Sequence, residues 1–177
     1  MSMAALRQVF DMEDIRVTVM GVSGCGKSSM GEALAARLGL PYIEGDALHP
    51  AENVAKMSKG TPLTDEDRWP WLARVGQAVS APEHGAIASC SSLKRVYRDL
   101  LRREVGEGLI FVHLHGSRAL LLSRMQNRPG HFMPASLLDS QLATLEPPGA
   151  DEHVITVDCA EPLEDAVNRV AAIIAAR

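Results

Sequence analysis

The sequence predicts a three-layer α/β fold, with a five-stranded parallel sheet covered by helices on both faces. Short segments rich in β-branched residues alternate with helical segments of about ten residues, which is typical of right-handed crossovers between parallel strands. The first such strand, at 15–20, runs directly into a glycine-rich turn that precedes a helix. A strand, a glycine-rich turn and a helix in this order are the context of a phosphate-binding loop.

The positions of the elements follow from the apolar periodicity and from the residues that end helices. We predict strands at 15–20, 42–44, 86–90, 109–114 and 154–157, and helices that include 93–101, 118–127 and 163–175. Gly39 is placed to end the first helix, because glycine adopts the left-handed conformation common at helix C-termini. Thr64 and Asp67 have the spacing of a helix cap, and Pro70 is acceptable in the first turn of that helix.

The length of 177 residues is that of one ordinary domain. We expect a single domain at 15–177, preceded by an N-terminal extension at 1–14. The segment 128–148 is rich in proline, glycine and polar residues around a short helix, and we expect it to be mobile.

The composition bounds the partners. Apolar residues make up 46% and charged residues 23% of the chain, and the net charge is -4. A mildly acidic chain lacks the basic surface that nucleic acids and anionic membranes select, so we expect neither as a partner. Three widely spaced cysteines favour a reducing compartment, and no signal peptide or membrane anchor is evident in the first residues. We therefore expect a cytoplasmic protein.

The motif G-x-x-x-x-G-K-S is complete from Gly21 to Ser28 and predicts binding of ATP and Mg²⁺ on a P-loop kinase fold. Lys27 would bridge the β and γ phosphates, and Ser28 would place its hydroxyl on Mg²⁺. The loop residues predicted to contact ATP are Gly21, Val22, Ser23, Gly24, Cys25, Gly26, Lys27, Ser28 and Ser29. Because a helix N-terminus lowers the pKa of a nearby thiol, oxidation sensitivity of Cys25 is a further hypothesis.

The phosphate loop alone does not choose between classes of nucleotide-binding proteins. The sequence contains no N-K-x-D element, which disfavours a GTPase. The third strand ends in Ser89-Cys90-Ser91, whereas motor ATPases usually end a strand with an acidic residue, so Asp46 after the second strand is the best placed acid. Asp46 could hold Mg²⁺ through water, accept the proton of an attacking hydroxyl, or cap the next helix.

Four further motifs resemble those of the gluconokinase family. They are GDALHP from residue 45, PLTDEDRWPWL from 62, CSSLKRVYRDLLR from 90 and HFMPASLLDSQLATLE from 131. With the phosphate loop they span nearly the whole chain after residue 15. Tyr42 and Ser92 stand where phenylalanine and alanine are more usual in that family.

The resemblance implies ATP-dependent phosphorylation of D-gluconate at its 6-hydroxyl, giving 6-phospho-D-gluconate and ADP. It also implies a homodimer with a nucleoside-monophosphate-kinase-like fold. Two alternatives stay open from the residues. One is a kinase of shikimate or a related hydroxy acid on the same fold, and the other is a nucleotide-dependent binding module without transfer chemistry.

The substrate-binding candidates lie in the resembling motifs. Gluconate carries one carboxylate, which suits a cation with parallel donors, and several hydroxyls, which suit groups that donate and accept. The candidates for the carboxylate are Arg68, Lys94 and Arg98, and those for the hydroxyls are His49, His131 and Gln141. For Arg102 and Arg103 a solvated helix face is the preferred interpretation.

The catalytic candidates are Asp46, which would orient the 6-hydroxyl, and Lys27. Ser28 and Asp46 together form the predicted Mg²⁺ end of the site. The likeness to related kinases implies a lid at about 124–148 and a segment at about 48–80 that closes over the substrate. Arg124 and Arg128 flank the start of the mobile segment, and we expect them to cover the phosphates of ATP. The turn at 160–162, after the fifth strand, is a candidate contact for adenine.

Overall fold

The computed structural model describes residues 14–129 and 134–177. Its centre is one sheet of five parallel strands in the order β2-β3-β1-β4-β5. The strands are β1 Ile15–Met20, β2 Tyr42–Glu44, β3 Gly85–Ser89, β4 Ile110–His115 and β5 Ile155–Asp158. The predicted five-stranded parallel sheet is confirmed, and each strand lies within one residue of its predicted position.

Helices cover both faces of the sheet. They are α1 Lys27–Leu38, α2 Ala51–Ser58, α3 Asp65–Ser80, α4 Arg95–Val105, α5 Arg118–Gln126, α6 Ala135–Thr144 and α7 Leu163–Ala175. Two short 3-10 helices lie at Gly45–Leu48 and Ala150–Glu152. No helix in the described part of the chain is long and apolar enough to cross a membrane.

The core has two parts, one on each face of the sheet. Side chains alternate between the faces along a strand, so Val112 of β4 packs with α1, α5 and α7, whereas Phe111 packs with α3 and α4. The strands are therefore buried on both sides, as expected for a parallel sheet, and the predicted three-layer architecture is confirmed.

Two of the predicted helix ends are confirmed, and one detail is wrong. Gly39 has φ 69° and donates its N–H to the Ala35 carbonyl, which ends α1. Thr64 and Asp67 form a reciprocal capping box at the start of α3. Pro70, however, lies inside α3 and not in its first turn, because the helix already begins at Asp65. The missing N–H of Pro70 removes one intrahelical hydrogen bond there.

Arg98 is a buried structural residue, which corrects the prediction that it binds substrate. Its side chain is 0% exposed, and its Nε and Nη2 donate to the two Glu152 carboxylate oxygens at 2.6 and 2.9 Å. Its Nη1 donates to the carbonyls of Ser92 and Leu93 at 3.0 and 3.1 Å. A guanidinium in this position has no surface for a ligand. The partner could not be recognised from the sequence, because Glu152 lies 54 residues away.

The same carboxylate organises a second arginine. Arg102 Nη1 donates to Glu152 Oε2 at 3.4 Å, and its Nη2 donates to the Glu152 backbone carbonyl at 3.2 Å. The guanidinium also lies over the ring of Phe111, so Arg102 packs at the helix surface and is not simply solvated. The hydrogen bonds of Arg98 lower the pKa of Glu152 to about 2. Glu152 is therefore ionised and paired at every pH at which the protein is expected to work.

The segment after α6 also holds the beginning of α4. The Glu146 carboxylate accepts the backbone N–H of Arg95 at 2.8 Å, and the Glu146 N–H donates to the Leu93 carbonyl at 2.8 Å. A carboxylate at a helix N-terminus satisfies a free N–H group and interacts favourably with the helix dipole. These contacts position Lys94, the residue directly before α4, at the carboxyl edge of the sheet.

We predict that Glu152→Ala lowers the free energy of unfolding by ~3–5 kcal/mol, because it leaves the Arg98 guanidinium buried without a counter-ion. Asp151→Ala is the matched control, since Asp151 pairs with Arg95 at an exposed position next to Glu152 in the chain. Its effect should be much smaller. Denaturant unfolding of both variants measures the difference, and equal losses would contradict the assigned role of Glu152.

His113 on β4 makes the stability of the protein depend on pH. It is buried, its Nε2 has no hydrogen-bond partner among the described residues, and burial lowers its pKa to about 4. Between about pH 4 and the ordinary value of 6.5, the unfolded chain binds a proton that folded His113 does not. Stability must therefore rise with pH across this window and level off above it.

His113→Leu should remove this contribution. The slope of unfolding free energy against pH between 4.5 and 6 should fall by up to ~1.4 kcal/mol per pH unit, the value for one proton. At pH 7 the substitution should cost little, because a polar atom without a partner is replaced by an apolar group. Unfolding curves of both proteins across this pH range provide the measurement, and parallel slopes would show that His113 does not titrate as stated.

Candidate active site

The phosphate loop joins β1 to α1 in the context that the motif predicts. Gly24 and Gly26 have φ 82° and 91°, a conformation that favours glycine, and α1 begins at Lys27 directly after the loop. A Cβ atom at Gly24 would lie 2.6 Å from the Leu121 carbonyl oxygen, so the loop packs tightly against α5. The loop therefore presents backbone N–H groups at a helix N-terminus, which is an arrangement that binds phosphates.

The two polar side chains at the end of the loop have defined partners. Lys27 Nζ donates to the Val22 carbonyl at 3.1 Å and so lies along the loop. Ser28 Oγ donates to Glu44 Oε2 at 2.6 Å. The acidic side chain bonded to Ser28 is thus Glu44, the last residue of β2, which the sequence analysis did not single out. Glu44 was missed because a glutamate inside a short strand carries no motif of its own.

Glu44 accepts hydrogen bonds from three hydroxyl groups. Besides Ser28, Ser89 Oγ lies 2.7 Å from Oε1, and the Tyr42 hydroxyl lies 2.9 Å from Oε2. Burial alone would raise the pKa of Glu44, but the bonds from Ser28, Ser89 and Tyr42 outweigh it and hold the pKa below its usual value. Burial, with the nearby Glu44 charge, raises the pKa of Tyr42 to about 12. Glu44 is therefore ionised, and Tyr42 keeps its proton.

The residues at this point fit a magnesium ion. The Glu44 carboxylate and the Ser28 hydroxyl are hard oxygen donors, the kind that Mg²⁺ prefers. Among residues 14–129 and 134–177 no group of three or more His, Cys, Asp or Glu side chains could form a metal site of its own. In kinases Mg²⁺ is typically bound by one or two protein ligands together with waters and substrate phosphates.

Asp46 lies just beyond Glu44 on the short helix Gly45–Leu48 and is open to solvent. Its side chain is 70% exposed. A Cβ atom at Gly45 would lie 1.9 Å from the Ser89 carbonyl oxygen, so only glycine allows this close approach to the end of β3. The Trp71 indole N–H donates to the Gly45 carbonyl at 2.8 Å and fixes the turn. Asp46 is thus an accessible carboxylate on a rigid turn.

His49 lies beside Asp46 but is not an open ligand for a hydroxyl, which differs from the expectation. Its side chain is 3% exposed and stacks on Trp71 with ring centroids 3.9 Å apart. The Asn53 amide lies 3.2 Å from Nδ1, so a neutral ring carries its proton on Nε2, which lies 4.0 Å from Asp46 Oδ1. Burial lowers the pKa of His49 to about 4, with the Asp46 charge acting in the opposite sense. His49 is therefore a neutral, buried ring beside Asp46 and is not hydrogen-bonded to it.

Arg68 and Lys94, the remaining described candidates for the substrate carboxylate, meet at Tyr97. Arg68 Nη1 donates to the Tyr97 hydroxyl at 2.8 Å, and Lys94 Nζ donates to Asp65 Oδ1 at 3.0 Å. The Tyr97 hydroxyl in turn donates to the Asp65 carboxylate. Both cations also lie over the Tyr97 ring, with 5.3 and 5.7 Å to its centroid. These four side chains are called the cation cluster below.

Hydrogen bonds within the cation cluster stabilise the charged forms of Asp65 and Lys94. Hydrogen bonds from Tyr97 and then Lys94 lower the pKa of Asp65, and the bond to Asp65 raises the pKa of Lys94. Two cations and one anion leave one positive charge. Asp65 and Tyr97 were not predicted as site residues. Tyr97 shares the apolar face of α4, and an acidic residue such as Asp65 is typical of the first turn of a helix.

The lid candidates are placed separately. Arg124 Nη2 donates to the Cys159 carbonyl at 2.7 Å, next to the turn at 160–162 that was a candidate contact for adenine. Arg128 is exposed just beyond the end of α5. Gln141 Oε1 accepts the Ser23 N–H at 2.7 Å, so this side chain lies on the phosphate loop and not in a sugar subsite.

Two other expectations have definite outcomes. Cys25 is 2% exposed, which argues against the hypothesis that its thiol is readily oxidised. His131, predicted to bind a substrate hydroxyl, lies outside the described residues, as do the first thirteen residues of the expected N-terminal extension.

Comparisons with known proteins show the family and the fold. A family model described as Shikimate kinase matches residues 23–146. A gluconokinase from Gluconobacter oxydans (strain 621H) is 56% identical over 80% of both chains. A crystal structure of a gluconokinase from Sinorhizobium meliloti 1021 is 55% identical, with a TM-score of 0.84 and 91% of each chain covered. The chain belongs to the gluconokinase family.

The relation of this gluconokinase-family chain to shikimate kinases is more distant. The structure of a shikimate kinase from Bacteroides thetaiotaomicron covers 90% of the chain with a TM-score of 0.66 but 17% identity. At that identity the likeness shows the P-loop kinase fold alone. The predicted resemblance is therefore confirmed at the level of family and fold, and the family and its fold are those of phosphotransferases.

Proposed function

We propose that the protein transfers the γ-phosphoryl group of ATP to the 6-hydroxyl of D-gluconate, giving 6-phospho-D-gluconate and ADP. The observation that carries the proposal is the cation cluster of Asp65, Arg68, Lys94 and Tyr97, at the carboxyl edge of the sheet. Ligands of open parallel sheets bind at this edge, where the phosphate loop and Asp46 also lie. The relatives named gluconokinase supply the identity of the acceptor.

The net charge of the cation cluster matches a monocarboxylate. Arg68 and Lys94 contribute two positive charges and Asp65 one negative charge, so one carboxylate makes the cluster neutral. The guanidinium of Arg68 supplies parallel donors, and Lys94 supplies a point charge. A sugar alcohol with the same hydroxyls would leave the positive charge uncompensated, and the cluster would reject it.

The nucleotide is assigned to the phosphate loop and its neighbours. The contacts proposed are the backbone of residues 21–29, with Lys27 on the β and γ phosphates. Ser28 and Glu44 would hold Mg²⁺. Asp46, two residues after Glu44, would contact the ion through a water molecule. When bound, Mg²⁺ would shield the negative charge of the phosphates.

Asp46 is assigned as the group that orients and deprotonates the acceptor. As the 6-oxygen attacks the γ-phosphorus, the hydroxyl proton passes to the Asp46 carboxylate, the bond to the β–γ bridging oxygen breaks, and ADP leaves. Neutral His49 packs beside this carboxylate, with Nε2 4.0 Å from Asp46 Oδ1, which is beyond hydrogen-bond distance.

Further assignments complete the proposal. The segment at about 124–148 would act as a lid and the segment at about 48–80 would close over the sugar, with Arg128 over the phosphates and Arg124 on the adenine side. Closure would exclude water and so limit ATP hydrolysis.

We also propose a single domain at 15–177 that works as a cytoplasmic homodimer. Gln141 reaches the substrate only if α6 moves away from the phosphate loop.

The acceptor is tested by ADP production with D-gluconate, D-glucitol, shikimate, nucleoside monophosphates and no acceptor. Only D-gluconate should be phosphorylated rapidly. D-glucitol is the matched control, because it keeps the 6-hydroxyl and the chain hydroxyls of gluconate but carries a CH₂OH group in place of the carboxylate. We expect its kcat/KM to be lower by a factor of ~10² or more, as a lost charge-assisted contact predicts.

Lys94→Met should erase much of this preference for gluconate over D-glucitol while keeping the apolar stem of the side chain. Comparable rates with both acceptors in the unmodified protein would contradict the proposed role of the cation cluster. Faster turnover of shikimate would instead identify a different hydroxy acid as the acceptor.

The role of Asp46 is tested by Asp46→Ala. Loss of the base should lower kcat by a factor of ~10²–10⁴, while the dissociation constant of ADP, measured by calorimetry, changes little. Lys27→Ala is the contrasting variant, because it should weaken nucleotide binding and transfer together. Turnover of Asp46→Ala near that of the unmodified protein would refute both a base and a metal role.

A further inference from the structure

Tyr42 packs closely against α1, the helix that follows the phosphate loop. It is the first residue of β2, and its ring packs on Gly31 of α1. A Cβ atom at Gly31 would lie 2.4 Å from Tyr42 Cε2, so the glycine leaves room for the ring and for nothing more. The position of the hydroxyl is therefore determined by backbone packing.

The hydroxyl of Tyr42 lies at the centre of a polar network. It is 2.9 Å from Glu44 Oε2 and 2.8 Å from Ser89 Oγ. Ser89 Oγ lies 2.7 Å from the other carboxylate oxygen of Glu44 and accepts the Gly45 N–H at 3.2 Å. Both oxygens of Glu44 are thus anchored, and the anchoring groups come from two neighbouring strands.

This anchoring determines how Ser28 is oriented. A serine hydroxyl has one proton and two lone pairs. Because Ser28 donates its proton to Glu44 Oε2, its lone pairs are left for another ligand. A Glu44 carboxylate that could rotate would release this proton, and the Ser28 hydroxyl would turn with it.

We propose that Tyr42 is a positioning residue for the phosphate loop, whose hydroxyl fixes the Glu44 carboxylate so that Ser28 directs its oxygen lone pairs to the Mg²⁺ of the bound nucleotide. The inference rests on the proposed function for the presence of Mg²⁺ and nucleotide, and it extends that function to a side chain two residues upstream of Glu44. Tyr42 acts through Glu44 and Ser28 and does not touch the substrate.

Tyr42→Phe isolates the hydroxyl, because the ring keeps its packing on Gly31. Loss of a supporting hydrogen bond to a metal-site carboxylate weakens metal binding by about tenfold or more. We expect the Mg²⁺ concentration for half-maximal effect to rise about tenfold in Tyr42→Phe. The KM for gluconate should not change, because the cation cluster is not altered.

The decisive measurement is ADP binding, monitored by thermal stabilisation and by calorimetry. It is made once in EDTA and then at increasing Mg²⁺ concentrations. The ADP affinity in EDTA should be equal in both proteins, and only the Mg²⁺-dependent part should differ. Ser80→Ala is the control, because it removes an exposed hydroxyl that contacts the Glu104 carbonyl far from Glu44. Ser89→Ala, which frees the other oxygen of Glu44, should shift the Mg²⁺ dependence in the same direction as Tyr42→Phe.

The possible outcomes are separable. An unchanged Mg²⁺ requirement in Tyr42→Phe would overturn the inference, and so would an equal loss of ADP affinity with and without Mg²⁺, which would mean a merely structural role. Failure of the unmodified protein to phosphorylate gluconate would refute the acceptor but leave the ADP measurement valid. An ADP affinity of the unmodified protein that does not depend on Mg²⁺ would overturn both the proposed Mg²⁺ site and the proposed role of Tyr42.

Discussion

The candidate site depends on the close approach of the strand ends at the carboxyl edge of the sheet. The Gly21 N–H donates to the Ser91 carbonyl at 3.2 Å, which joins the end of β1 to the segment after β3. Gly45 lies against the Ser89 carbonyl with no room for a side chain, which joins the end of β2 to β3. These contacts bring the phosphate loop, Glu44 and Asp46 to neighbouring positions, so the chemistry follows from backbone packing.

The second half of the site depends on carboxylates outside the cation cluster, one of them in a buried ion pair. Lys94 precedes α4, and the start of that helix is held by Glu146 and, through Arg98, by Glu152. The arginine that sequence reasoning placed in the substrate pocket thus supports the pocket from inside the protein. Motif resemblance cannot distinguish these two roles, because both place an arginine at the same position of the same motif.

The fold could be predicted nearly in full from the sequence, whereas the site could be predicted only in part. Strand positions, the end of α1 at Gly39 and the capping box of α3 are local, since each depends on residues that are close in the chain. Glu44 acquires its meaning from Ser28 and Ser89, which are 16 and 45 residues away. Asp65 and Tyr97 likewise gain a role only when α3 and α4 are packed together. Contacts of this length leave no periodicity or spacing that a sequence motif could show.

Glu44 lies on the strand with the fewest backbone pairings in the sheet, and Asp46 follows directly after it. β2 lies at the edge of the sheet, spans three residues and pairs with β3 alone. Its alignment therefore owes much to side chains, through Tyr42 with Ser89 and through Trp71 with the Gly45 carbonyl. Segments with few backbone hydrogen bonds open at a lower free energy than the whole protein. We therefore expect the segment that carries Glu44 and Asp46 to open at a lower free energy than the central strands, so that catalytic activity is lost on mild destabilisation before global unfolding.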